Sequence, residues 1–352
     1  MTNRIEELQQ LRIRPEPFHP IYQLPSRAAV EAGSLNDMVV NWAQDYGLVN
    51  GPAARERLAA VRAGDLIARA YPDLRADSAV PLAGWFSWLF AIDDYFDRRG
   101  PRTPAGHAAA IRKVLAALPP EPEPEPEPGP GEWEGRINSP LVRLLAHVWR
   151  SIAPGRSLCW RMRFITHVTH FVSAFQYEAL NRRQRHTPSL DAYVQLRRAS
   201  GSITACLDLL EFSTGLEVPP LLHETEQLRT MANKAADVVV WVNDVVSLKK
   251  ELAIGETTNG VLVVRRELGL SAQESVDYIY ARVADDIRSF RAAEAELERI
   301  CAGWLGVTEA ERAALNSLTH GMKCWMRGNL DWSVRSERYA VPQEGTACAA
   351  TR

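Results

Sequence analysis

Two short clusters of polar side chains in this sequence have the spacing of metal-binding sites. The first is the run Asp93-Asp94-Tyr95-Phe96-Asp97, in which Asp93 and Asp97 would lie one turn apart on the same face of a helix. Carboxylates at that spacing repel each other unless a cation lies between them, and Mg²⁺ takes one or two carboxylates together with phosphate oxygens and water. A polar helix end that faces solvent would explain the run equally well, because short acidic patterns are weak signals.

The second cluster lies between Trp241 and Glu251. Asn243, Ser247 and Glu251 are spaced four residues apart, so a helix would project all three along one stripe. An amide oxygen, a hydroxyl and a carboxylate together make a suitable ligand set for a hard cation. Asn and Ser are poor residues for a helix interior, and here they interrupt an apolar run. The stripe therefore indicates a functional role more strongly than the acidic run does.

The elements that must position these clusters are predicted to be helices. Apolar residues recur with helical spacing through most of the chain, and alternating polar and apolar runs are nearly absent. Ser34 with Asp37 and Ser271 with Glu274 have the spacing of capping boxes at helix starts. The predicted helices are 55–70, 82–98, 107–118, 139–152, 157–182, 189–212, 224–252, 258–268, 271–304 and 308–332. The fold class is therefore predicted to be all-α.

The chain is predicted to form one domain over residues 1–340, followed by a flexible tail over 341–352. Residues 119–131 read PPEPEPEPEPGPG, and alternating Glu and Pro exclude both a helix interior and a β-ladder. We predict an acidic, extended surface loop between two helices; a docking tail or a domain linker is the alternative. Helical character resumes on both sides without a change of composition, so no domain boundary is predicted at the tract.

Composition bounds the function classes further. The 41 Lys and Arg residues nearly balance the 43 Asp and Glu residues, which argues against a basic surface for nucleic acid or membrane. The longest apolar stretch, residues 79–92, is too short to span a bilayer, and no signal peptide is recognised. The five scattered cysteines form no CxxC pair, so a disulfide framework and a zinc–thiolate site are both disfavoured. A cytoplasmic, soluble protein is predicted, without nucleic acid and without stable membrane insertion.

Taken together, the two clusters resemble the aspartate-rich motif and the Asn/Ser/Glu metal-binding triad of the class I terpene synthases, specifically the bacterial cyclases. Arg197 and Gly201 are similar to the diphosphate-sensing arginine and the effector glycine of that family. The spacing to Gly201 favours Arg197 over Arg198 as the sensor. Arg338-Tyr339 is similar to the family's Arg-Tyr pair, which binds diphosphate.

Further matches extend this resemblance along the chain. The stretch YEALNR at 177–182 is similar to the segment ahead of the sensor, and Trp325 and Trp332 have a family-like spacing before the Arg-Tyr pair. The motifs follow the family's order from residue 93 to residue 339. There are two departures: Ser200 stands where the family often has Asp or Thr, and the Glu-Pro tract is not a hallmark of the family.

The resemblance implies a fold and a set of site residues. The fold would be the single-domain class I terpenoid synthase bundle of helices around a central apolar cavity. Three Mg²⁺ ions per site would be held by Asp93, Asp94, Asp97, Asn243, Ser247 and Glu251. The diphosphate would be bound by Arg197, Lys250, Arg338 and Tyr339, and the hydrocarbon by Phe86, Phe90, Trp241 and Trp325. The catalytic set would be Asp93, Arg197, Gly201, Asn243, Ser247 and Glu251.

The implied reaction is the Mg²⁺-dependent ionisation of a linear prenyl diphosphate. The carbocation would cyclise to a terpene hydrocarbon or alcohol, with release of diphosphate. Farnesyl diphosphate is the first choice of substrate, and geranylgeranyl diphosphate is the runner-up. A chain-elongating prenyltransferase would need a second aspartate-rich motif where this chain has Asn243, Ser247 and Glu251. A non-catalytic helical binding protein with a relic pocket is the remaining alternative, and a homodimer is compatible with the resemblance.

Overall fold

The computed structural model describes residues 11–27, 32–98, 100–101, 103–121, 139–184, 186–253, 258–303 and 306–339, without the side chains of Asp97 and Arg98. The helices are α1 (Ala32–Asp45), α2 (Pro52–Ala60), α3 (Ala63–Ala70), α4 (Ala76–Arg98), α5 (Pro104–Leu115), α6 (Pro140–Ile152), α7 (Leu158–Gln184), α8 (Leu190–Ser200), α9 (Ile203–Thr214), α10 (Pro220–His223), α11 (Glu226–Ala253), α12 (Gly260–Leu268), α13 (Ala272–Gly303) and α14 (Glu309–Ser333). Short 3₁₀ turns cover Pro20–Gln23 and Glu337–Tyr339. These described ranges contain no β-strand, which confirms the all-α prediction.

Helix α11 lies at the centre of the packing. It packs against α13 along one side and against α14 along another, and residues 235–242 are buried without interruption. Such burial all around a helix explains why its apolar pattern is nearly continuous rather than amphipathic. Helix α4 packs against α1 and α6 and also contacts α9. No helix in the described ranges is long and apolar enough to cross a bilayer.

Two of the predicted helices are interrupted by a left-handed residue. The predicted helix 55–70 divides at Arg62, whose φ is 57°, and the predicted helix 189–212 divides at Ser202, whose φ is 56°. A residue in the left-handed region cannot continue a right-handed helix, although the apolar period continues across it. Both predictions of a single helix are therefore wrong.

The interruption at Gly201 and Ser202 packs closely against α11. A Cβ atom on Gly201 would lie 2.5 Å from the Val240 Cγ1 atom, closer than van der Waals contact permits. Because the chain turns here, α8 ends at Ser200 and α9 begins at Ile203 against the same cavity. The break thus places the end of α8, including Arg197, beside α11.

One predicted capping box is present and the other is not. The Glu274 backbone N–H donates to the Ser271 Oγ atom at 3.3 Å, and the Ser271 backbone N–H donates to the Glu274 carboxylate at 2.8 Å. This confirms the predicted start of α13. Helix α1, in contrast, already begins at Ala32, so Ser34 lies inside its first turn and the predicted box there is wrong.

The Glu-Pro tract and the C-terminal tail fall mostly outside the described residues. At the start of the tract, the buried Trp149 indole donates a 2.8 Å hydrogen bond to the carbonyl oxygen of Pro119. Residues 122–138 and 340–352 are outside the described ranges, and the domain prediction stays a prediction.

Deletion of residues 122–128 is expected to leave both the melting temperature and the turnover almost unchanged. The closure entropy of a connecting segment changes only slowly with its length, and Pro119 remains as the acceptor for Trp149. Thermal unfolding and product analysis of the deletion variant would check this. A melting temperature lower by more than about 3 °C, or a loss of most turnover, would mean that the tract packs on the protein or gates the site.

Candidate active site

A cavity of about 190 Å³ lies among α3, α4, α7, α8, α9, α11 and α14. A single water needs only about 10–15 Å³ by this measure, so the cavity has room for a ligand. Its apolar walls are Leu66, Phe86, Leu89, Phe90, Phe171, Ile203, Val239, Val240, Trp325 and Trp332. Its charged and strongly polar groups are Asp93, Glu178, Arg182, Arg197, Asn243, Asp244, Ser247, Lys250, Glu251, Asn329, Arg338 and Tyr339.

The predicted stripe on α11 faces this cavity. Asn243, Ser247 and Glu251 all line it, as the i, i+4, i+8 spacing requires. Ser247 is 2% exposed, and its hydroxyl interacts with the Glu251 carboxylate. No three His, Cys, Asp or Glu side chains in the described ranges converge on a metal position. The fitting donor set is instead the mixed one, because an amide, a hydroxyl and a carboxylate along one stripe are oxygen ligands that suit a hard cation.

Helix α4 brings the acidic run to the opposite side of the cavity. Phe86, Phe90 and Asp93 lie on one face of the helix and line the cavity together. Asp94 does not line it, and its carboxylate lies 3.8 Å from the Arg338 guanidinium. The side chain of Asp97 is not among the described ones, so its predicted metal role stays a prediction.

The Glu337–Tyr339 turn connects the two predicted motifs. The Arg338 guanidinium donates to the Asp93 carboxylate at 2.6 Å and lies 4.6 Å from the centre of the Phe90 ring. The Tyr339 hydroxyl accepts a 2.7 Å hydrogen bond from the Asn243 amide. The C-terminal pair therefore touches α4 through one side chain and α11 through the other.

The two adjacent arginines of α8 have different surroundings. Arg197 donates to the Asn243 Oδ1 atom at 2.7 Å and to the Asp244 Oδ1 atom at 2.8 Å, and it lines the cavity. Arg198 binds both oxygens of Asp237 at 2.8 Å and does not line the cavity. The structure thus places Arg197, rather than Arg198, beside the predicted metal-binding stripe.

Lys250 and Arg338 concentrate positive charge near the acidic run. Burial and the nearby Arg338 guanidinium lower the pKa of Lys250, whereas Asp93, Asp94 and Glu251 oppose that change. Two neighbouring cations beside carboxylates provide an anion-binding position at this end of the cavity. A bound polyanion would relieve the repulsion between them.

Trp241 is not where the sequence analysis placed it. Its indole is 2% exposed, does not line the cavity, and packs near Tyr193 at a ring distance of 5.9 Å. Position 241 lies off the 243–247–251 stripe, so the helix directs it towards α8 and α12 instead. The assignment of Trp241 to the hydrocarbon site is corrected here. Trp325, in contrast, does line the cavity and stacks on Phe86 at 6.1 Å between ring centres.

Glu178 is a cavity residue that the sequence analysis did not select. Burial raises its pKa to about 7, although Arg197, the Ser200 hydroxyl and Arg182 favour the charged form. The residue lies within the YEALNR stretch, so its segment was recognised but its own role was not. Glu178 lies on α7, and the residue spacing within one helix cannot predict that α7 packs beside the ends of α8 and α11.

Asp244 and Tyr193 form a layer behind the stripe. Asp244 is 1% exposed and accepts hydrogen bonds from the Tyr193 hydroxyl at 2.5 Å and from Arg197 at 2.8 Å. A buried carboxylate with a cation and a hydroxyl donor is well compensated, and it fixes the orientation of its partners. The sequence analysis did not select Asp244 or Tyr193, and the feature that could have indicated Asp244 is its position directly after Asn243.

The stability of the metal-free protein is expected to depend on pH through Glu251. Burial and the Asp244 carboxylate raise the Glu251 pKa to about 7 from an ordinary value of 4.5. The folded state therefore holds this proton more tightly, and the resulting stability, full below about pH 4.5, is lost as pH rises through 7. Relative to wild type, Glu251→Gln should gain stability between about pH 5 and 7.5, by at most about 1.4 kcal/mol per pH unit. Thermal unfolding in EDTA would measure this, and an offset independent of pH would contradict it.

Comparison with known proteins gives a consistent result. The profile of the family described as "Terpene synthase family 2, C-terminal metal binding" matches residues 84–289, which is more than half of the chain. Pristinol synthase from Streptomyces pristinaespiralis is 33% identical over 315 residues, covering 90% of this chain and 82% of the relative. (+)-T-muurolol synthase from Roseiflexus castenholzii is 28% identical over 324 residues, covering 91% of this chain and 93% of the relative.

A solved structure extends the similarity to the fold. The crystal structure of a-eudesmol synthase superposes with a TM-score of 0.77 at 26% sequence identity, covering 93% of this chain and 100% of that chain. The matched region of the family profile contains residues 84–98 of α4 and all of α11, which carry the two predicted metal-binding motifs. On this sequence match, and with the motifs converging on one cavity, the chain belongs to the terpene synthase family and is a class I enzyme of the bacterial type.

Proposed function

We propose that this terpene synthase is a Mg²⁺-dependent sesquiterpene cyclase that acts on farnesyl diphosphate. The observation that carries the proposal is the arrangement of a single cavity. Oxygen ligands from Asn243, Ser247 and Glu251 and cations from Arg197 and Arg338 line it, and much of the remaining wall is apolar and aromatic. A substrate with a charged diphosphate and a long hydrocarbon chain matches both kinds of surface.

At the polar end, the side chains of this chain would bind and orient the diphosphate. Arg197, Lys250, Arg338 and Tyr339 present N–H and O–H donors to one region of the cavity. Donors that are held in place before the reaction stabilise the negative charge that develops on a leaving group. Asn243, Ser247 and Glu251, with Asp93 opposite, would hold Mg²⁺, which when bound supplies charge neutralisation of the diphosphate.

At the apolar end, the walls would fold the hydrocarbon and exclude water. Phe86 and Trp325 stack in parallel, and Tyr71 meets both rings edge-on at 6.1 and 5.7 Å. Aromatic faces attract a positive charge by about 0.5–2 kcal/mol each, so Phe86, Phe90 and Trp325 would stabilise a carbocation. Trp332 widens this aromatic wall beyond the residues that the sequence analysis selected.

The choice of farnesyl diphosphate is supported by relatives. The T-muurolol synthase described above and a 7-epi-alpha-eudesmol synthase from Streptomyces viridochromogenes, which is 29% identical, both carry names that specify cyclisation of (2E,6E)-farnesyl diphosphate. Geranylgeranyl diphosphate is the second candidate. The α11 stripe is Asn, Ser and Glu rather than a second aspartate-rich motif, and this disfavours chain elongation.

Product analysis tests the proposal directly. Purified protein with Mg²⁺ would be incubated separately with geranyl, farnesyl and geranylgeranyl diphosphate, each with a matched tube containing EDTA, and analysed by gas chromatography–mass spectrometry. We expect a cyclic hydrocarbon or alcohol from farnesyl diphosphate only, and none with EDTA. Cyclic products from the C20 substrate alone would favour the diterpene alternative. Longer prenyl diphosphates on addition of isopentenyl diphosphate would indicate elongation, and Mg²⁺-dependent binding without turnover would indicate a binding protein.

A further inference from the structure

The side chain of Asn259 uses every hydrogen-bonding group that an amide has. It is 0% exposed, and its Nδ2 atom donates to the Glu251 Oε2 atom at 2.9 Å and to the Asp244 carbonyl oxygen at 2.8 Å. Its Oδ1 atom accepts the backbone N–H of Val261 at 2.8 Å, which caps the start of α12. A primary amide carries two N–H donors and one carbonyl acceptor, so this position is matched to Asn in shape and in polarity.

These bonds connect the two ends of the α11 stripe. Glu251 lies in the last turn of α11 and lines the cavity, so the direction of its side chain decides whether its carboxylate faces the cavity with Asn243 and Ser247. Because the Asp244 carbonyl and the Glu251 carboxylate share one donor nitrogen, the carboxylate is drawn back towards the turns that carry Asn243 and Ser247. Without this donor, the Glu251 carboxylate would lose the hydrogen bond that ties it to the segment before α12.

The segment that carries Asn259 is itself held tightly against α11. The Gly260 backbone N–H donates to the Asp244 Oδ2 atom at 3.2 Å, and a Cβ atom on Gly260 would lie 2.6 Å from that same oxygen. Asn259 therefore rests on a fixed base, the Asp244 carboxylate, which also binds Tyr193 and Arg197. A rigid support of this kind lets an outer side chain set the position of a ligand to a fraction of an ångström.

We infer that Asn259 is a positioning residue that holds the Glu251 carboxylate in place for metal binding. The inference rests on the proposed function, because Glu251 is a metal ligand only under that proposal. Asn259 acts through Glu251 and touches neither the substrate nor the metal. Loss of such an outer hydrogen bond to a metal ligand typically weakens metal affinity by about 10–100-fold.

Two variants of the full chain separate this role from a purely structural one. Asn259→Asp keeps an acceptor for the Val261 N–H, but it removes both donors and sets a second carboxylate against Glu251. Asn259→Ser keeps a side-chain oxygen that can cap the start of α12 and adds no charge. It replaces the first variant if that variant does not fold. The matched control is Asn36→Asp, since the Asn36 amide also donates to a backbone carbonyl, that of Ala59 at 3.1 Å, yet does not line the cavity.

The melting temperature of each variant would be measured by circular dichroism in the presence of inorganic diphosphate and increasing Mg²⁺. The readout is the Mg²⁺ concentration at which half of the maximal rise in melting temperature is reached. We expect this midpoint to rise at least tenfold in both Asn259 variants and to stay within twofold of wild type in Asn36→Asp. Midpoints within twofold of wild type in the Asn259 variants, whatever their melting temperatures, would overturn the inference and leave the proposed function standing. A wild-type protein that does not respond to Mg²⁺ with diphosphate would overturn the proposed function, and this inference with it.

Discussion

Replacing Asn243 with alanine is expected to lower kcat/KM by at least about 10²–10³-fold while leaving the helical circular-dichroism signal intact. The amide accepts a hydrogen bond from Arg197 and donates one to Tyr339, both at 2.7 Å, and it supplies the first oxygen of the α11 stripe. Alanine removes all three functions at once. It is also the best helix-forming residue, so α11 should remain folded.

The matched control for Asn243 is Asn233→Ala on the same helix. Asn233 lies ten residues earlier in α11 and does not line the cavity, so its replacement should leave turnover within about twofold of wild type. Asn243→Asp, which keeps the ligand oxygen and the acceptor for Arg197, should retain more turnover than Asn243→Ala. Steady-state assays with farnesyl diphosphate and Mg²⁺ would measure all three variants. Near-wild-type turnover of Asn243→Ala would remove Asn243 from the site.

Arg197→Lys is expected to lower kcat/KM by about 10²-fold or more. The guanidinium spans Asn243 and Asp244 with two separate nitrogens and still lines the cavity. A lysine ammonium is a single point of charge that cannot reproduce this geometry, although it keeps a cation beside the buried Asp244. The substitution therefore tests the geometry of the arginine without leaving an unpaired buried charge, which would itself be strongly destabilising.

Arg198→Lys is the neighbouring control. Arg198 binds Asp237 through two hydrogen bonds away from the cavity, so its replacement should lower the melting temperature while changing kcat/KM by less than about twofold. Melting temperatures and steady-state kinetics of both variants would be measured side by side. An equal loss of activity in the two variants would mean that neither arginine has a specific role at the cavity.

Local spacing predicted much of this site. The stripe of Asn243, Ser247 and Glu251 follows from the helical period alone, since residues four apart must share a face. Phe86, Phe90 and Asp93 share a face of α4 for the same reason. The spacing failed where a side chain lies off the stripe, as Trp241 does, because aromatic character alone does not indicate which side of a buried helix faces a cavity.

Residue spacing within a helix could not predict contacts between segments that are far apart in the chain. Glu178 lines the same cavity as Glu251, and Asn259 binds the Glu251 carboxylate, but the separations along the chain carry no geometric information about either contact. Asn259 has the sequence signature of an ordinary helix cap, which it also is. Its bond to Glu251 depends on how α12 returns against α11.

The sequence by itself predicted the helical character, the two candidate metal-binding motifs and the family, because helical periodicity and motif spacing are local properties of the chain. Only the tertiary structure decided where helices break and what holds Glu251, whereas the spacing to Gly201 had already favoured Arg197, which the structure places at the cavity. The break at Ser202 is an example: the apolar period continues across it, and the close approach of Gly201 to Val240, a residue thirty-nine positions away, exists only in the packed structure. These features depend on how the helices pack against each other, because steric exclusion and the need to hydrogen-bond buried polar groups allow only one arrangement of the helices.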